Sequence, residues 1–436
     1  MGVGEAMQQG AGSAAYSSLP GDVALPRGGT LRPVRRIEML AHFSGAFDLA
    51  EQQPGGHAAR VAYLAHEIAR RLGFGPEERR RLLAVGLLHD AGVAVRHEGG
   101  HLEAGVWVAR RFGFDEAVGE AILATHERWD GRGRPNGRQG AEIPVEGLIV
   151  HAAHWACEFS DSAMSPLRAR AQLQNSSVHD IEPLAGPEIA DALRAALHED
   201  ETWLALWDDD LTRQVALWGV GEGRPSYRRL EEAATAMGDV VDSAVREPGR
   251  ARRVAALARQ LAVTMGLPDG YSDAIGIAGH LLDVGQLGVP RHVTDKPSIL
   301  TVDEMELMRC HPGVGARLVD HAPGLAEVGE WIAAHHERPD GRGYPEMLTE
   351  EALPLPPRIL AVADAYWALR AKRPYRPAFS EDETLVMIEL GAGRQFDQHV
   401  VDALPEALES LTELGTLATI DIPEIGADEA EADAAG

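Results

Sequence analysis

Six residues in the first half of this 436-residue sequence have the types and spacing for metal chemistry: His57, His89, Asp90, His101, His126 and His154. Imidazoles mixed with a single carboxylate suit one or two divalent transition ions, with Fe, Mn, Zn and Ni as candidates. They do not suit calcium or a thiolate-selected metal. The chemistry such a set implies is hydrolysis. Two ions about 3.5–4 Å apart, bridged by Asp90 and a water, lower the pKa of that water and clamp a phosphoryl oxygen for in-line attack. His89 and Asp90 are the catalytic pair in this reading. One inward-facing histidine is more often a satisfied core residue than a ligand, so the weight rests on recurrence.

The elements that must hold these residues are helices. Leu- and Ala-rich segments with apolar positions three and four apart dominate, and alternating strand patterns are scarce, which predicts an all-α fold. His57 opens one such helix, with Val61, Leu64, Ile68 and Leu72 following at helical spacing. His89 and Asp90 end the apolar run LLAVGLL, and Gly92 permits a close backbone approach.

The pattern then repeats. HAARVAYLAHEIARRLGF from His57 matches RARRVAALARQLAVTMGL from Arg250, and AVGLLHDAGV matches IAGHLLDVGQ, so that His57 pairs with Arg250 and His89 with Leu282 at an offset of 193. THERWDGRGRP matches HHERPDGRGYP at an offset of 210, which also pairs His101 with His311 and His154 with Asp364. A single change of 17 residues accounts for both offsets, and it falls on LGVPRHVTDKPSILTVDEMEL of the second copy. The expected organisation is a flexible tail over 1–35, copy one over 36–200, a helical connector over 201–225, copy two over 226–410 and an acidic tail over 411–436. GPEIADAL and FDQHVVDAL close the two copies, and Trp203, Trp207 and Trp218 of the connector are expected to pack between them.

Composition narrows the function. With 41 Lys+Arg against 67 Asp+Glu the chain carries −26, a field that repels duplex nucleic acid and leaves room only for a small anion at a local cationic site. No apolar run approaches the roughly 20 residues of a membrane span and the N-terminus has no signal-peptide pattern, so a cytoplasmic protein without membrane contact is expected. Cys157 and Cys310 supply no disulfide framework and read as small reduced core residues.

The order His, HD, His, HHE with DGxGYP, then Asp resembles the HD-GYP family of bacterial phosphodiesterases within the HD superfamily. Copy two resembles it over nearly its whole length, through KPSILTVDEMELMRCHPGVGARLV, HHERPDGRGYP, PPRILAVADAYWALRAKRPY and GAGRQFDQHVVDAL. The resemblance implies hydrolysis of a cyclic dinucleotide, cyclic di-GMP first among them, at an iron- or manganese-containing site. Carried over by residue, His57, His89, Asp90, His101 and His126 match ligand positions. Thr125 replaces the first His of HHE, His154 replaces an Asp, and Gln53 lacks the carboxylate that three-metal members use.

Copy two keeps Asp283, His311, His335, His336 and Asp364, a weaker second site, because Arg250 and Leu282 stand where two histidines belong. Arg250 could take the metal's place and pair with Asp283 or Asp364, and His280 reads as a core or surface residue. The family's phosphate-facing lysine is Val93 in copy one and Gln286 in copy two. Arg128, Arg132 and Arg134 are then the substrate-binding candidates in the first loop, with Arg342 and Tyr344 in the second. Two other readings are a degenerate signalling protein that binds metal or nucleotide without turnover, and an HD phosphohydrolase for another nucleotide. Regulation would come through a partner or a homodimer.

Overall fold

The computed structural model describes residues 31–416 apart from 54, 162–165, 176–177, 220–223 and 373–375. Among these residues the fold is all-α, with isolated backbone bridges and no strand.

Copy one comprises α1 (Arg36–Glu51), α2 (His57–Arg71), α3 (Pro76–Leu88), α4 (His101–Arg111), α5 (Glu116–Leu123), α6 (Val145–Asp161), α7 (Pro166–Asn175), α8 (Val178–Ala185) and α9 (Pro187–His198). The connector folds as α10 (Asp200–Leu206) and α11 (Leu211–Trp218). Copy two follows as α12 (Tyr227–Val245), α13 (Arg250–Thr264), α14 (Asp269–Leu281), α15 (Arg291–Thr294), α16 (Val302–Arg309), α17 (His311–Asp320), α18 (Ala326–Ala333), α19 (Leu355–Arg370), α20 (Glu381–Gly391) and α21 (Gln398–Glu413).

The duplication is visible helix by helix. α2 and α13 both run 15 residues and α3 and α14 both run 13, and the 17-residue difference appears as α15 and α16 in copy two. The helices that open each site start in the same way. Gly56 and Gly249 turn the chain at φ 80 and 73, and a buried aspartate accepts the next free backbone N–H: Asp48 from Ala58 at 3.0 Å, Asp242 from Ala251 at 3.0 Å. A carboxylate there meets both the unsatisfied N–H and the positive end of the helix. Val61, Leu64 and Ile68 are fully buried on the face of α2 that packs against α3, α6 and α9.

Short 3-10 turns after α3 and α14 press against the starts of α4 and α17. A Cβ at Gly92 would overlap His101 O and crowd Gly105 N, and one at Gly285 would overlap His311 O and crowd Gly315 N. This absence of side chains seats the HD turn directly on the next histidine.

The copies pack reciprocally. α1 touches α12, α17 and the 3-10 turn of copy two, while α12 touches α4 and the 3-10 turn of copy one. Val34 and Ser226 exchange backbone hydrogen bonds of 3.3 and 3.0 Å, and Val34 is fully buried, so packed structure is present inside the expected N-terminal tail. At the other end α21 runs to Glu413 with Leu411 buried, three residues into the expected acidic tail; residues 1–30 and 417–436 lie outside the described residues.

Two expectations are corrected. The connector folds back on copy one, where Trp218 stacks on His66 at 4.2 Å and on Tyr63 at 5.3 Å and Trp203 is buried, so these tryptophans do not sit between the copies. Cys157 is buried, whereas Cys310 is exposed at the end of α16, because the inserted α15–α16 segment rides on the surface. Among the described residues no helix is long and apolar enough to cross a membrane.

Because the clash at the two glycines is with backbone, neither site can relax cheaply. Gly92→Ala and Gly285→Ala are each expected to destabilise the protein by about 2–3 kcal/mol, read as a drop in the denaturant midpoint.

Candidate metal centre

Five helices deliver the six polar residues of copy one to one place. His57 starts α2, His89 caps α3 and Asp90 follows it, His101 starts α4, His126 follows α5, and His154 lies in the middle of α6. His89 Nδ1 lies 2.8 Å from Gly86 O, three residues back. The Nδ1–H donates to that carbonyl, which leaves Nε2 with its lone pair toward the site. The rings of His57, His89 and His154 lie 4.6 to 5.6 Å apart between centroids. One ligand atom each from His57, His89, Asp90 and His154 falls within 4.8 Å of the others, and Asp90, His101 and His126 form a second such group. Asp90 belongs to both. His101 and His126 face each other through Nε2 atoms 3.0 Å apart.

The donors fit a metal. His89 Nε2 and Asp90 Oδ2 pair at 2.8 Å, His154 Nε2 is 3.7 Å from the same oxygen, and His154 Nε2 is buried without a hydrogen-bond partner. Such atoms are costly to bury unless a cation collects them. Protonation states agree. Burial followed by the field of His89 pushes His154 down to about 2, and burial chiefly lowers His126, so both are neutral ligands at ordinary pH. His89 and Asp90 form the exception. Against burial, Asp90 holds the imidazole above its usual range and His89 holds the carboxyl well below its own, so a proton here occupies the place that an ion takes on binding.

Copy two solves the same problem differently. Arg250, at the position of His57, bonds Asp283 through Nη1 and Asp364 through Nη2, with Glu247 Oε2 3.1 Å from its Nε. Leu282, at the position of His89, is buried. The guanidinium thus pairs with both aspartates of the expected second site. Of Asp283, His311, His335, His336 and Asp364, among the described residues only the three histidines group as potential ligands, and both carboxylates are paired with Arg250. His335 is held down to about 4 by burial and by His311, and donates from Nδ1 to Ile332 O at 2.6 Å. In copy one Thr125 makes the equivalent bond, 2.8 Å to Ile122 O, so the lost histidine costs a ligand but not the turn. His280 is half-buried with Nε2 3.3 Å from Thr235 Oγ1, and burial pushes its imidazole down to about 3.

The loop arginines do not reach the centre. Arg128 binds Asp130 at 3.0 and 2.8 Å, and Arg338 binds Asp340 at 3.0 and 2.7 Å, each pair stiffening its DGRG turn. The backbone N–H groups of Arg132 and Arg342 donate to the same aspartates. A cleft of about 910 Å³ opens onto Asp90, His101, His126 and His154, and none of Arg128, Arg132 and Arg134 lines it. Tyr344 stacks on His336 at 4.8 Å beneath Arg309, closing over the copy-two histidines.

Sequence reasoning missed the acids and cations that tertiary packing adds. Glu51, at the end of α1, lines the cleft and is held above the usual carboxylate range by burial and by Asp90. Arg96, Arg246 and Arg291 line it too. Glu127 is buried beneath the loop and accepts from the backbone N–H groups of Asn136 and Arg138, as Glu337 does from Glu346, Met347 and Leu348. The glutamate of the HHE pattern is therefore the loop's anchor, a signal present in both copies.

A helical domain in which a histidine–aspartate pair shares its carboxylate between two groups of imidazoles is a metal-site fold of the HD class. Two family models described as HD domain match the chain, one over residues 55–155 and one over 238–400, together more than half of it. The chain belongs to the HD-domain family, in tandem copies.

Similar proteins include the cyclic di-GMP phosphodiesterase response regulator RpfG of Xanthomonas campestris, 42% identical over 154 residues, which are 35% of this chain and 41% of that protein. The 3'3'-cGAMP-specific phosphodiesterase 3 of Vibrio cholerae is 28% identical over 319 residues, 70% of this chain and 66% of that protein. This chain spans less than two thirds of the length of either relative. A solved structure described as a cyclic GMP-AMP specific phosphodiesterase of V. cholerae, V-cGAP3, shares the fold at a TM-score of 0.64 and 23% identity, over 87% of this chain and 98% of that one.

Metal analysis of purified protein checks the assignment. His89→Ala with Asp90→Ala is expected to abolish bound transition metal, while His335→Ala with His336→Ala leaves it unchanged. Arg250→Ala alone strands the buried Asp283 and the half-buried Asp364 and is expected to destabilise copy two by about 3–5 kcal/mol. Arg250→His with Leu282→His is expected to raise the metal content per chain.

Proposed function

We propose that the chain is a metal-dependent phosphodiesterase of the cytoplasm that opens a cyclic dinucleotide in copy one, cyclic di-GMP first and 3'3'-cGAMP second, with iron or manganese as the ion. The observation that carries this reading is Asp90, a buried carboxylate shared between two imidazole groups at the floor of a cleft of about 910 Å³. A pocket of this size takes a ligand of nucleotide dimensions. The named activities of the relatives supply the substrate class.

When bound, the ions lower the pKa of a shared water and draw negative charge from a phosphoryl oxygen. Asp90, facing both groups, would serve as a ligand in each. His57, His89 and His154 would hold one ion from the closed side of the cleft, and His101 and His126 would hold the other from its mouth. Burial holds His154 well below the ordinary imidazole range, so its lone pair is available at neutral pH. Gly86 O fixes the tautomer of His89. Copy two is read as a partner without turnover, because Arg250 already fills its ion's place.

Incubation with cyclic di-GMP and 3'3'-cGAMP under reducing conditions, with Mn(II) or Fe(II), is expected to yield linear product. His89→Ala with Asp90→Ala should lower kcat by at least about a thousandfold, since the activated water is lost. His336→Ala should leave kcat within about threefold. No product from either nucleotide with any of these ions overturns the proposal.

A further inference from the structure

We propose that copy two completes the substrate cleft of copy one, with Arg246 and Arg291 receiving the phosphate that is not cleaved. The inference rests on the proposed function and adds to it the residues that bind the substrate's second charge. A cyclic dinucleotide carries two phosphodiesters, and only one can lie at the ions. The other is an anion inside a protein of net charge −26, in a cleft whose rim includes Glu51, Glu98 and Glu158. It needs a cation of its own.

Among the described residues, the copy-one arginine that lines the cleft is already engaged. Arg128 is committed to Asp130, and Arg96, the copy-one arginine that lines the cleft, is committed as well: its guanidinium binds Asp295 at 2.6 Å and Ala244 O at 2.9 Å, and its backbone N–H donates to Ser243 Oγ at 3.1 Å. All three of these partners belong to copy two. Arg96 is therefore a clamp that draws the end of α12 and the start of the inserted segment onto the cleft.

What the clamp delivers is positive charge. Arg246 follows α12 in a left-handed turn at φ 61, is exposed, and pairs with no carboxylate among the described residues. Arg291 opens α15, is exposed, and spends one Nη on the carbonyl of Val93, next to the HD turn, with no carboxylate partner among the described residues. Both line the same cleft as Asp90, His101 and His126. Arginine is the side chain best matched to a phosphate, through paired N–H groups in a planar fork. Arg291 also sits on the segment that copy one lacks, so this wall exists only because the copies differ.

The test is steady-state kinetics of Arg246→Ala with Arg291→Ala in the full chain, with cyclic di-GMP and with bis(p-nitrophenyl) phosphate, which has a single phosphate. For cyclic di-GMP KM is expected to rise at least about tenfold, the loss of a charged hydrogen bond, with kcat within about threefold. The loss in kcat/KM on the one-phosphate ester should be at least about fivefold smaller. Arg246→Lys with Arg291→Lys should recover most of the KM, and an unchanged unfolding midpoint shows that the fold survives. An unchanged KM in an enzyme whose wild type is active overturns this inference and leaves the proposed function standing, as does an equal loss on both esters. A wild type that turns over neither cyclic dinucleotide overturns the proposed function, and this inference with it.

Discussion

The two halves of this protein depend on one electrostatic requirement: a carboxylate buried after the third helix of the domain must meet a positive charge. Asp90 and Asp283 occupy that position, each about 7% exposed. A carboxylate so placed is tolerable only when paired. In copy one the surrounding imidazoles can hand the task to an ion, and without one His89 keeps a proton and takes it on itself. In copy two Arg250 does the same work from the position of His57, and reaches Asp364 as well. The rest of each site follows from that choice. Where the charge comes from the chain, the neighbouring histidine becomes Leu282 and packs as core. Where it is left to an ion, the histidines stay and the cleft stays open.

Much of this was legible in the sequence because the duplication printed each position twice. The all-α class followed from apolar spacing, and the histidines expected to gather around Asp90 were picked out by their recurrence at equivalent places of the repeat. The pairing of Arg250 with the aspartates was legible too, since a cation at a ligand position among buried carboxylates has few other places to go. The misreadings share one cause. Arg128 looked like a phosphate contact because no short-range pattern reveals that Asp130 folds back on it. The connector tryptophans looked interfacial because sequence order placed them between the copies, while packing returned them to α2.

The residues that sequence reasoning missed belong to the same class of long-range fact. Arg96 and Asp295 are about half the chain apart, and Arg291 meets Val93 across a similar span. Hydrophobic periodicity encodes which face of a helix is buried, but not which loop of another domain lies against it. The insertion was visible as a change in offset. Its purpose was not, since an extra segment between two helices carries no mark of where it will lie.

The built-in charge of copy two has a consequence for how the protein meets changing metal supply. Arg250 cannot dissociate, be chelated or be exchanged for a competing ion, so copy two holds its shape whatever ions are present. Its α12 packs against α4 and the HD turn of copy one, and in doing so buttresses the elements that present His101 and Asp90. The half of the chain whose aspartates are met by its own arginine thus braces the half whose aspartate is met by histidines.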